Sequence, residues 1–100
     1  MLCAVLVRRL KDGATYEQFR EAWLPDQGFG RPVRVVNARS LEDPSEIISV
    51  GFADLPAAEL PAFLRQVAAG EARRHERIAS VIEETVHKGI YEVLDEDDLS

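Results

Sequence analysis

A single cysteine, Cys3, stands among 100 residues, so no intrachain disulfide can form and a disulfide-stapled extracellular scaffold is excluded. Its place inside an apolar run marks it as a small buried hydrophobe rather than a nucleophile. Histidine is almost as scarce. His75 and His87 lie twelve residues apart, with no CxxC or HExxH beside them, so no zinc ligand set can be assembled. Glycine-rich phosphate loops and a GxSxG elbow are also missing. No apolar run approaches the ~18 residues of a membrane-spanning helix. Leu2–Val7 is too short for a signal-peptide core, and Arg8 and Arg9 follow it instead of preceding it. Positive charge is in deficit, with 12 Lys and Arg against 18 Asp and Glu for a net −6, a poor match for nucleic acid or an anionic bilayer. The expectation is a protein of the reducing cytoplasm with no metal or organic cofactor, no nucleic acid and no membrane partner.

What is present is an order of patterns. Apolar residues at 46% and charged residues at 30% fit one globular domain over residues 1–100. Leu2–Arg9 is nearly continuous in apolar residues, as central strands covered on both faces are. Thr15 followed by Gln18 fits a capping box, and Tyr16, Phe19 and Trp23 then recur at helical spacing over Tyr16–Leu24. Pro25 stands just beyond, where it ends the helix.

Val33–Ala38 alternates, with Val33 and Val35 on one face and Arg34, Val36 and Ala38 on the other. In Ile47–Ala53, Ile48, Val50 and Phe52 share a face, opposite the small residues Ser49, Gly51 and Ala53. A helix is predicted over roughly Pro61–Val86, loosened at Gly70, with the stripe Ala72, His75, Ala79, Ile82 and Val86 and a stop at Lys88-Gly89. Ile90–Leu94 is the last strand, and Asp95–Asp98 an acidic tail. The order β-α-β-β-α-β defines a ferredoxin-like α+β sandwich, an antiparallel sheet with helices on one face.

Few residues carry chemistry. His75 is an imidazole on an otherwise aliphatic stripe. It is either an acid/base group in the cleft between helix and sheet or a core histidine satisfied by a carbonyl or Glu71, unless Gly70 turns the helix enough to expose it. Trp23 and Tyr16 share a face with Phe19 and either build core or wall a ligand. Tyr91 in the last strand either lines a cavity or packs. Arg34 either meets an anionic ligand, pairs with an acid across a subunit boundary, or snorkels from an edge strand. His87 is expected at an exposed helix C-terminus. Arg73, Arg74 and Arg77 alternate with Glu71, Glu76 and Glu83, so ion pairs along the helix account for them. An RNA-recognition role shares the topology, but only Phe52 offers an aromatic on the central strands.

The segment TYEQFREAW after RRLKDGA, the strand GIYEVL and the element order resemble the dimeric α/β-barrel superfamily. That group includes antibiotic-biosynthesis-type monooxygenases, EthD-like proteins and muconolactone isomerase. The resemblance implies a homodimer paired sheet to sheet, with a ligand held in each subunit between sheet and helices. The haem-degrading branch uses an Asn on the first strand, a Trp on the third and a His on the second long helix. Only His75 matches, and Phe52 stands where the Trp would be, so haem degradation is disfavoured.

Two readings follow. In one, His75 and Tyr91 act on an apolar or aromatic substrate walled by Trp23 and Tyr16, without cofactor, as a monooxygenase or isomerase. In the other, the same homodimer is a non-catalytic ligand binder or a structural module. A cavity of roughly 300 Å³ or more would favour the first, and a fully packed interior the second.

Overall fold

Strand β1 (Leu2–Leu10) forms the middle of the molecule because both its neighbours need it. In the computed structural model, which describes residues 1–100, the sheet runs β2-β3-β1-β4, with β2 (Val33–Arg39), β3 (Glu46–Ala53) and β4 (Ile82–Glu92). Every pairing is antiparallel, with Leu6 opposite Ser49 on one side and Lys88 on the other. Helices α1 (Tyr16–Trp23) and α2 (Leu60–Ala79) cover one face, giving a two-layer slab of 40 × 39 × 19 Å. This is the β-α-β-β-α-β ferredoxin-like arrangement. No helix is long and apolar enough to cross a membrane.

Local chemistry accounts for the boundaries of α1. The Thr15 hydroxyl accepts from the Gln18 N–H at 3.1 Å, and the Gln18 side chain accepts from the Thr15 N–H at 2.9 Å, closing the capping box. At the other end, two arginines of α2 satisfy carbonyls that the helix leaves unpaired. Arg74 Nη1 donates to the Trp23 carbonyl at 3.1 Å, and Arg77 Nη2 to the Leu24 carbonyl at 3.0 Å. Cations at this end also complement the helix dipole. Arg77 and Arg73 lie within 3.5 and 3.7 Å of Asp26, so of the arginine cluster only Arg74 pairs along its own helix, with Glu71 at 2.8 Å.

The expected long helix is corrected here. α2 stops at Ala79, and Ile82 and Val86 belong to β4, which is therefore much longer than Ile90–Leu94. No Gly or Pro marks the change; a two-residue turn at Ser80 and Val81 makes it, with the Ser80 hydroxyl donating to the Arg77 carbonyl at 2.7 Å. The sheet explains the outcome. Without Ile82–His87, half of β1 would present an unpaired backbone edge. Two register shifts, between Val7 and Arg8 and between Arg9 and Leu10, fit the longer β4 to β1. Gly70 lies inside an unbroken α2, and His87 is a strand residue, not a helix terminus.

The sheet's two faces differ. Leu2, Ala4, Leu6, Arg8 and Leu10 point to the helices; Cys3, Val5, Val7 and Arg9 point away. The outward face adds Ile48, Val50 and Phe52 from β3 and Val36 from β2, and no helix covers it. Arg9 pairs with Glu84 at its rim.

Candidate functional site

The space between sheet and helices is filled at one end and empty at the other. At the filled end Leu10, Phe19, Trp23, Ile47 and Ile78 form the core, and Phe19 is 0% exposed. At the other end the sheet sets the small residues Ala4, Gly51 and Ala53 among the larger Leu2, Leu6 and Val35, beneath Phe63, Leu64 and Val67 of α2. The result is a largely apolar cavity of about 270 Å³, just under the size set as the dividing line and close to the ~300 Å³ lower end of small-molecule sites. At Gly51 a Cβ would meet Val35 Cγ2 at 3.4 Å, an ordinary contact, so the bare backbone there widens the cavity without being sterically required.

The polar groups of the cavity converge from four elements: Arg8 from β1, Ser49 from β3, Glu71, Arg74 and His75 from α2, and Lys88 from β4. Arg8 is 3% exposed. An arginine carries five N–H donors, and here the protein partner is Ser49 Oγ, at 3.5 Å from Nη1. Ser49 in turn donates to Asn37 Oδ1, which fixes its lone pairs toward Arg8. The guanidinium carbon lies 5.8 Å from the Phe19 ring centre. Burial pulls the Arg8 pKa down from the usual arginine range to about 10; the Arg74 charge adds to the fall and the Glu71 carboxylate opposes it. Arg74 has a 10%-exposed side chain, and its guanidinium packs 5.3 Å from the Trp23 ring centre and 5.8 Å from that of Phe29. Its Nε is buried without a hydrogen-bond partner.

His75 stands at the mouth of the cavity, and its side chain is 44% exposed. The expectation that the stripe would bury it is corrected. The inward face of α2 runs Phe63, Val67, Gly70, Arg74 and Ile78, one residue out of phase with Ala72, His75 and Ala79. The shift was hidden because Arg74 reads as a solvent residue in sequence, while its aliphatic stem and stacked guanidinium suit a buried position. His75 Nε2 lies 3.5 Å from Glu71. Partial burial lowers its pKa below the usual 6.5, helped by Arg74, Lys88 and Arg8 and opposed by Glu71, so the neutral ring prevails at pH 7.

Of the other residues singled out in sequence, Trp23 lines the cavity. Tyr16 does not; it packs against the filled end, 6.0 Å from Phe19, with Arg39 stacked on it. Tyr91 sits on the uncovered sheet face, opposite Cys3 and 47% exposed. It lies over Gly89, where a Cβ would come within 2.6 Å of its hydroxyl, and that hydroxyl shares a 2.7 Å hydrogen bond with His87 Nε2. Arg34 is on the same uncovered face, 6.0 Å from the Phe52 ring. Residue phase separates these positions from the cavity: alternation along a strand sends neighbours to opposite faces. Arg8 was the site residue missed, and the same alternation could have found it, since it continues the inward series Leu2, Ala4, Leu6.

No family model and no curated protein matches the sequence. Solved structures do match its fold. A candidate antibiotic biosynthesis monooxygenase from Chloroflexus aurantiacus J-10-fl superposes with a TM-score of 0.60 over 99% of this chain and 98% of its own, at 13% identity. A second candidate antibiotic biosynthesis monooxygenase, from Nitrosomonas europaea, gives 0.60 over 95% and 100%, at 16% identity. The fold is thus the ferredoxin-like one that these two structures share, as the order of elements in the sequence implied.

Proposed function

We propose that this protein is a homodimer that binds an apolar or aromatic small molecule in the hollow between sheet and helices, one per subunit, and acts on it as a cofactor-free monooxygenase. The observation that carries the reading is the hollow itself. A 100-residue chain has little apolar surface to spare, yet here Leu2, Ala4, Leu6 and Arg8 of the central strand line a hollow instead of packing wholly against the helices. The homodimer rests on the uncovered face, where Val5, Val7, Val50 and Phe52 form an apolar area that a second copy would cover. Sedimentation equilibrium at micromolar concentration should give twice the 11.2 kDa chain mass; the single-chain mass across that range would contradict it.

The catalytic part rests on His75 and on the description of the two structural neighbours. A neutral imidazole at the pocket mouth can accept the proton of a hydroxyaromatic ligand. The electron-rich anion then reduces dioxygen, with one oxygen atom entering the ring, the other leaving as water, and the ring oxidised to a quinone. Tyr91 takes no part within one chain, because it is on the other sheet face. The test is oxygen uptake with a panel of hydroxylated aromatics. His75→Ala should lower the rate on the order of 10²-fold while the dimer stays intact; an unchanged rate would remove His75 from the mechanism. A non-catalytic binder is the second reading, favoured by His75's having Glu71, at 3.5 Å, as its one ion-pair partner, with no second acid/base group hydrogen-bonded to it. Wild-type protein that binds the panel without oxygen uptake would establish that reading.

A further inference from the structure

The polar part of the cavity is unbalanced. Arg8, Arg74 and Lys88 face one carboxylate, Glu71, and Glu71 is committed to Arg74 at 2.8 Å. Arg74 is otherwise engaged with the Trp23 carbonyl, so its place in the fold has a structural explanation. Arg8 has none of comparable strength. It is buried on an apolar strand, forms no ion pair, and has one long hydrogen bond to a neutral hydroxyl. A buried cation without a counter-charge is costly, and a sheet position between Leu6 and Leu10 would be more stable with an aliphatic residue. The free protein holds this charge where an apolar ligand would lie.

We propose that the ligand is an organic acid: its carboxylate pairs with the Arg8 guanidinium, which Ser49 orients, and its hydrocarbon body lies against Ala4, Gly51 and Leu64. This rests on the reading that the hollow is a ligand site and adds to it the charge of the occupant. A guanidinium presents two parallel donors to a carboxylate, which makes the pair both stronger and more directional than a contact with a neutral oxygen. The surrounding wall is apolar, so the pair would be little screened. The chain as a whole carries −6, which repels anions at long range; a preference for an acid therefore has to come from this local arrangement.

Trp23 is the only tryptophan and lines the cavity, so its fluorescence reports occupancy directly. The test titrates the full chain with matched acids and alcohols on phenyl, naphthyl and octyl bodies, followed by Trp23 emission. The acid of each binding pair should bind tighter than its alcohol by on the order of tenfold or more. In Arg8→Met, which keeps the length and apolar bulk of the stem, the preference should fall to about twofold or less while the alcohol still binds. Arg8→Lys, which keeps the charge and loses the two-pronged geometry, should fall between. Equal affinity of acid and alcohol in the wild type would overturn the inference and leave the pocket reading standing, as would a preference that survives in Arg8→Met. If Arg8→Met does not fold, the wild-type comparison and Arg8→Lys decide. Failure of every acid and every alcohol to perturb Trp23 would overturn the pocket reading itself, and this inference with it.

Discussion

The two ends of the layer between sheet and helices share one backbone scaffold and differ in the size of what fills it. At one end Leu10 and Ile47 rise from the sheet to meet Phe19 and Ile78, and the space closes. At the other, Ala4, Gly51 and Ala53 stay low beneath Leu64 and Val67, and it remains open. Helices held at one spacing by the closed end cannot settle onto the small residues at the other. The closed end therefore acts as the strut that holds the cavity open, and Arg8 marks the border, its guanidinium near Phe19 and its lining surface in the hollow.

That division makes the two ends respond differently to mutation. The largest effect belongs to the closed end: Phe19→Ala removes a fully buried ring and should cost about 3 to 5 kcal/mol in chemical denaturation. Leu64→Ala at the open end, where the side chain is half exposed, should cost under about 1 kcal/mol. Similar losses at both would mean that the cavity is closed in solution.

Arg8→Met should stabilise the free protein by about 1 kcal/mol or more, since it removes a buried, unpaired charge and leaves an apolar side chain in its place. A gain in melting temperature together with a lost preference for acids would mark Arg8 as retained for binding at the expense of stability. A clear drop in melting temperature would show that Arg8 supports the fold.

Ala53→Leu fills the open end instead of emptying the closed one. It puts bulk into the hollow, so it should raise stability by about 0.5 to 2 kcal/mol and weaken ligand binding at least tenfold by Trp23 emission. Destabilisation with binding retained would place the ligand elsewhere.

The smallest effect is the pH dependence at His75. Its folded pKa lies below the unfolded one, so the fold favours the neutral ring. The unfolded chain then binds more protons as pH falls past 6.5, and the wild type loses stability from there down through the folded pKa. The groups facing the ring are Glu71 and Arg74 on its own helix, Lys88 on β4 and Arg8 on β1. Melting curves at pH 8 and pH 5 should show a larger loss for the wild type than for His75→Gln. A larger loss in the variant would reverse the sign and make Glu71 the dominant neighbour.

Much of the fold was legible in the sequence, because its punctuation is chemical. Thr15 and Gln18 open α1, Pro25 follows its end, and the small-residue face of β3 was visible in Ser49, Gly51 and Ala53. The α2–β4 boundary was not. Ile82 and Val86 sit four apart, a spacing that fits a helix as well as the bulged strand they form, and the turn at Ser80 and Val81 contains no breaking residue. The decision came from β1's need for a partner, which is a long-range fact. The cavity followed the same pattern. Trp23 and His75 line it, but Tyr91 and Arg34 fall on the opposite sheet face and Tyr16 on the closed end. Arg8 and Arg74 were overlooked because arginine in a pattern reads as surface; strand alternation already turned Arg8 inward, whereas for Arg74 only the packing of Trp23 and Phe29 around it shows its place.

The most direct measurement of the open end as a ligand site is methyl NMR of the full chain titrated with 2-naphthoate. Shifts are expected at Ala4, Ala53, Leu64 and Val67, with Leu10, Ile47 and Ile78 at the closed end and Val5, Ile48 and Val50 on the uncovered sheet face unmoved. Shifts confined to the closed end or to the uncovered face, or none at millimolar ligand, would contradict a ligand site at the open end.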